Sequence, residues 1–142
     1  MAISGANTDS QNQAVKVGNP VIYNTPAPAS YGTTVQLLLA SDIIGGIILM
    51  GNASAIAATM PTASLLAGAM RAILGSQFQI GDTIECLLIA GMAGAITITL
   101  GTGMTFDGTN QTAGVVAGNS SKYIAFRFTG ITPGSETCVL YS

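Results

Sequence analysis

The chain of 142 residues contains no histidine and no tryptophan, and only four basic and six acidic side chains. Without histidine it lacks the commonest general base and the commonest transition-metal ligand. The basic residues Lys16, Arg71, Lys122 and Arg127 are scattered, so there is no cluster of the kind that grips phosphate backbones or an anionic membrane surface. Cys86 and Cys138 show no CxxC spacing, so each reads as a small buried apolar residue, with a disulfide between them left open. The start, MAISGANTDSQNQAVKVGNP, has neither a basic opening nor an apolar run, which predicts synthesis in the cytoplasm rather than export. The N-x-[ST] matches at Asn52, Asn110 and Asn119 are then read as turn residues.

What is present is apolar. Charged residues make up 7% of the chain against an apolar 49%. A soluble domain of this size ordinarily carries about a quarter charged residues. Ten charged side chains cannot cover its surface, so much of that surface is expected to be buried against protein or membrane.

Residues 1–33 are polar, almost uncharged and broken by Pro20, Pro26 and Pro28, the composition of an extended N-terminal arm. A disordered tail and a strap along a neighbouring subunit are the two readings. Val15, Val17, Val21, Ile22 and Tyr23 give the arm apolar anchors and are the candidate contacts to a neighbouring subunit or capsid. Residues 34–142 are expected to form one domain. Within them, Ile43–Met60 approaches the length of a membrane span. Gly45, Gly46, Gly51, Asn52, Ser54 and Thr59 interrupt it, no Lys or Arg flanks it, and buried strands are the preferred reading.

MPTASLLAGAMRAIL (60–74) predicts a short helix, with Pro61 in its first turn, Thr62 or Thr59 as cap, and a stripe of Leu65, Leu66, Met70 and Ile73. Beyond Gly75 the chain reads as strands at 82–90, 95–100, 114–117, 122–128 and 138–141, separated by turn formers. Ile124, Phe126 and Phe128 are expected to point inward, leaving Lys122 and Arg127 near solvent.

The glycine-rich GTGMTFDGTN (101–110) invites a test for phosphate or metal binding. Gly101, Gly103 and Gly108 match neither a P-loop nor a dinucleotide fingerprint, and Asp107 has no companion carboxylates for calcium. Asp107-Gly108 is a hairpin signal, so the loop is expected only to turn the chain. Asp82 and Glu85 are the one close carboxylate pair, and their spacing in a strand sends them to opposite faces. No serine-nucleophile elbow occurs. The reading is a chain without catalysis, cofactor or metal.

MPTASLLAGAMRA, GSQFQIGDTIECLLIAG, AITITLGTGMTFDGT, VVAGNSSKYIAFRFTGI and ETCVLYS, in that order over residues 60–142, form a pattern. It resembles small structural domains of viral and tailed-bacteriophage particles, of the capsid decoration or cement type. The resemblance implies a mainly all-β fold, an antiparallel, jelly-roll-like β-sandwich, here with one short helix and the extended arm. It also implies a homotrimer on the virion surface, bound to the major capsid protein and to its own copies; no direct nucleic acid and no membrane contact is expected from the scattered basic residues and the interrupted apolar run. Residues 33–59 are more apolar and richer in glycine than that pattern. The alternative is a receptor- or glycan-binding head fibre or spike module using the loops at 101–114 and 129–136, where Phe106 is the only aromatic residue. A small membrane protein spanning at 43–60 is the third reading.

Overall fold

In the computed structural model residues 27–108 and 114–142 are described. They form ten strands and two α-helices. The strands are β1 (Ala29–Tyr31), β2 (Val35–Leu37), β3 (Ile47–Met50), β4 (Ile56–Thr59), β5 (Thr83–Ala90), β6 (Ile96–Thr99), β7 (Met104–Phe106), β8 (Val115–Val116), β9 (Ser120–Gly130) and β10 (Thr137–Tyr141). The helices are α1 (Ala40–Ile44) and α2 (Ala63–Leu74), the second followed by a 3-10 turn at Gly75–Gln77.

Two sheets result, a six-stranded one in the order β1-β3-β5-β9-β10-β7 and a four-stranded one in the order β2-β4-β6-β8. Strands β1 to β6 alternate between them. Each return to the same sheet lays the new strand beside the earlier one in parallel, so β1, β3 and β5 are parallel neighbours, as are β2, β4 and β6. β7 also joins β10 in parallel. Among the described residues only β5 with β9, β9 with β10, and β6 with β8 run antiparallel. This corrects the antiparallel expectation. Alternation along a strand fixes which face is buried, but not the direction of a partner far away in the chain.

The windings are close-stacked. A Cβ at Gly94, in the connection from β5 to β6, would collide with the carbonyls of Ser54 and Asn52 in the connection from β3 to β4. Glycine there lets one pass lie directly on the previous one.

The stretch 33–59, expected as strands alone, contains α1. Its first turn is fixed by Asp42, whose carboxylate accepts from the Leu39 N–H at 2.8 Å and from the Tyr31 hydroxyl at 2.7 Å. Gly46, at φ 83, redirects the chain into β3. Five residues are too few for an amphipathic period to show, which is why the helix was hidden. With α1 and β3–β4 occupying 40–59, no helix among the described residues is long and apolar enough to cross a membrane.

α2 starts where its sequence says, with the Thr62 side chain accepting from the Leu65 N–H. Its stripe is different. Ala63, Leu66 and Ala67 are buried and Met70 and Leu74 pack against the core, while Leu65 and Ile73 are exposed. The small alanines let the helix approach the sheet, a choice made by packing rather than by hydrophobicity.

Ile124, Phe126 and Phe128 of β9 are fully buried, as expected. They join Ile48, Met50, Cys86, Leu88, Ile56, Ile96 and Leu140 from both sheets in one core. Burying an aliphatic or aromatic side chain of this kind contributes roughly 1.5–3 kcal/mol. Phe78 meets Phe128 edge-on at 4.8 Å between ring centroids. Arg127 is exposed and Lys122 half-buried.

Candidate functional site

The outer face of the six-stranded sheet can be read off the register, because directly paired residues share a face. One row runs Ser30, Leu49, Ile89, Ser121 and the next Ile47, Leu87, Tyr123. A third holds Glu85, Ala125 and Tyr141, and a fourth Thr83, Arg127, Val139 and Thr105. Glu85 and Arg127 are the only charges in these rows. On the four-stranded sheet the outward rows are Val35, Ala57, Thr97, Val115 and Leu37, Thr59, Thr99, with no charge at all. Val35 is 71% exposed, Leu37 60% and Tyr123 69%. Ser30, Ser121, Thr83 and Thr105 on the larger face and Thr59, Thr97 and Thr99 on the smaller make both faces mixed, and what sets them apart is the scarcity of charge.

An open depression of about 470 Å³ lies on the larger face, lined by Glu85, Tyr123, Ile124, Ala125, Tyr141 and Ser142. Tyr123 and Tyr141 stand diagonally across the β9–β10 ladder, through the Ala125–Tyr141 pair. Chemically the depression offers two phenol rings for stacking, their hydroxyls for hydrogen bonds, and one carboxylate acceptor. Glu85 is exposed there, as its sequence position suggested. The two tyrosines were missed as a site, although the alternation of KYIAFRF already turns Tyr123 away from the core.

The other sequence candidates fall apart as sites. Val15, Val17, Val21, Ile22 and Tyr23 lie outside the described residues. In the glycine-rich loop, a Cβ at Gly101 would collide with the carbonyls of Met60 and Pro61, and Gly103 sits at φ 83. Those glycines serve close backbone approach and a turn. The loop also hides β7, and the Asp107 N–H donates to the Leu140 carbonyl at 2.9 Å, extending the β7–β10 ladder. The expected hairpin at Asp107-Gly108 is therefore not formed between β7 and β8, which belong to different sheets. Asp82 caps a turn by accepting from the Gln79 N–H at 2.9 Å. Asn52 bridges turns by donating to the Gly32 carbonyl and accepting from the Ser54 N–H, and Asn119 adopts φ 54. No group of three metal-ligating side chains occurs among the described residues.

Two internal polar features complete the picture. Glu136 is buried and receives the Arg71 guanidinium at 2.8 Å, while Arg71 also donates to the Ile131 carbonyl and lies 5.9 Å from the Phe78 ring centroid. The Gly134 N–H donates to the same carboxylate at 2.9 Å. The hydrogen bond from Arg71, supported by nearby backbone and Ser64 donors, holds the Glu136 carboxyl below the usual carboxylate range. This pair ties α2 to the loop between β9 and β10. Cys86 and Cys138 are free thiols on strands flanking β9, and burial pushes each up to about 12. They behave as core packing groups.

Comparison with protein-family models, with curated proteins and with solved structures returned no match.

Proposed function

We propose that this is a structural virion protein that decorates or cements a capsid by binding the major capsid protein and its own copies, without catalysis. The observation that carries this reading is the pair of outer sheet faces, whose rows hold only Glu85 and Arg127 as charges. Exposed apolar side chains such as Val35, Leu37, Ile47, Leu49 and Tyr123, with so little charge around them, are of the kind that interaction sites use when contiguous. Their burial stabilises an assembly by roughly 25 cal/mol per Å². A homotrimer on the capsid surface, with the N-terminal arm reaching a neighbouring subunit, buries both the faces and the anchors Val15, Val17, Val21, Ile22 and Tyr23. The frame we propose is a sandwich of the two sheets, wound in parallel passes rather than as a jelly roll.

The test is light scattering on the chain expressed without detergent, followed by co-sedimentation with assembled shells of its major capsid protein. A trimer that co-sediments is expected, with Tyr123→Lys reducing the bound fraction. A monodisperse monomer that stays in the supernatant refutes the reading.

One observation favours a glycan-binding spike module as a second reading: the Tyr123–Tyr141–Glu85 depression presents two aromatic rings, where the loops at 101–114 and 129–136 hold only Phe106. Glycan-array binding lost in Tyr123→Ala and Tyr141→Ala would select it.

A further inference from the structure

A single small residue makes the hollow on the outer face of the six-stranded sheet. Glu85, Ala125 and Tyr141 stand side by side there on β5, β9 and β10. Glu85 and Tyr141 are two strand spacings apart, about 10 Å between their Cα atoms, with only the Ala125 methyl group between them. Tyr123 follows two residues along β9 on the same face, about 7 Å from Ala125. All four residues line the depression of about 470 Å³.

The charge of this hollow is one-sided. Glu85 is exposed and, among the described residues, engages in no ion pair. Arg127, the other charge on the face, carries its guanidinium away to the turn before β5, where Nη2 lies 3.8 Å from the position a Cβ at Gly81 would take. Lys122 is paired with the buried Leu88 and so stands on the opposite face of β9. Arg71 is held by Glu136. The hollow therefore combines one unbalanced carboxylate with two aromatic rings, whose π faces are themselves negative. A neutral sugar can use the rings and their hydroxyls but leaves the charge unbalanced, whereas a cation is drawn by all three groups.

We propose that the Tyr123–Tyr141–Glu85 depression receives an arginine side chain of a partner protein, with the guanidinium on the Glu85 carboxylate and against the phenol rings. Arginine suits it better than lysine, because its planar fork meets both carboxylate oxygens while stacking on a ring, and it gives up its hydration more readily. The methylenes behind the guanidinium cover the Ala125 methyl group. The inference rests on the reading of a chain that adheres to another protein and names the chemistry of one contact.

The test is an NMR titration of the isotope-labelled full chain with N-acetyl-arginine amide, beside N-acetyl-lysine amide, N-acetyl-glutamine amide and maltose. Saturable shift changes confined to the surroundings of Glu85, Tyr123, Ala125 and Tyr141 are expected with the arginine probe, weaker ones with lysine and none with glutamine. Glu85→Gln and Tyr141→Ala, both at exposed positions, should each weaken binding roughly fivefold while the rest of the spectrum stays unchanged. An arginine probe that gives no saturable change, or binds Glu85→Gln as tightly, overturns the inference. A response to maltose in place of arginine overturns it in favour of the glycan reading. Co-sedimentation with shells separates the two levels. A Glu85→Gln chain that co-sediments undiminished overturns the arginine contact while leaving adhesion standing, and a native chain that binds arginine but stays in the supernatant supports the site while refuting the capsid reading.

Discussion

The wound region, β1 to β6, and the C-terminal region, β9 and β10, meet in the six-stranded sheet but are built by different means. In the wound region strands are three to eight residues long, pair in parallel and meet partners from a previous pass. In the C-terminal region the eleven-residue β9 pairs antiparallel with β5 on one side and with β10 on the other. The first depends on how tightly successive connections stack, the second on how well one long strand fills the core. Backbone contact therefore limits one region and side-chain volume the other.

The largest expected effect breaks the C-terminal region. Phe126→Ala removes a fully buried ring at the centre of β9 and should cost about 3–5 kcal/mol in denaturant unfolding. A loss below 1 kcal/mol would mean that β9 is not the strand that fills the core. A smaller effect belongs to the wound region. Gly94→Ala forces a methyl group against the Ser54 and Asn52 carbonyls and should cost about 1–3 kcal/mol, with Tm lowered accordingly. An unchanged Tm would show that the passes are not stacked in contact.

The smallest effect at neutral pH sharpens the junction between α2 and the β9–β10 loop. Because the folded Glu136 carboxyl titrates below its unfolded value of about 4.3, its contribution is complete above that value. It is lost as the pH falls through the folded value. Unfolding followed from pH 6 down to pH 3 should therefore show a slope that Glu136→Gln flattens. Equal slopes in both proteins would remove the Arg71–Glu136 pair from the account.

Much of the C-terminal region was legible in the sequence. KYIAFRF alternates with a period of two, so β9 and its buried residues Ile124, Phe126 and Phe128 followed directly. The cap of α2 at Thr62 was equally local. α1 in the wound region and β7 beyond it went unread, because five and three residues carry no period of their own. The depression lined by Tyr123, Tyr141 and Glu85 was half legible. Alternation turned Tyr123 outward, but only the pairing of Tyr141 with Ala125 brings the second ring beside it.

The sequence by itself determined where the chain turns, which face of each longer strand is apolar, and that too few charges exist to solvate the surface. Those properties depend on neighbours within a few residues. The tertiary structure decided that β1 to β6 wind between two sheets in parallel, that Ala63, Leu66 and Ala67 rather than Leu65 and Ile73 seat α2, and that both outer faces carry almost no charge. Such outcomes depend on contacts between residues tens of positions apart, and no local pattern encodes the direction or identity of those partners.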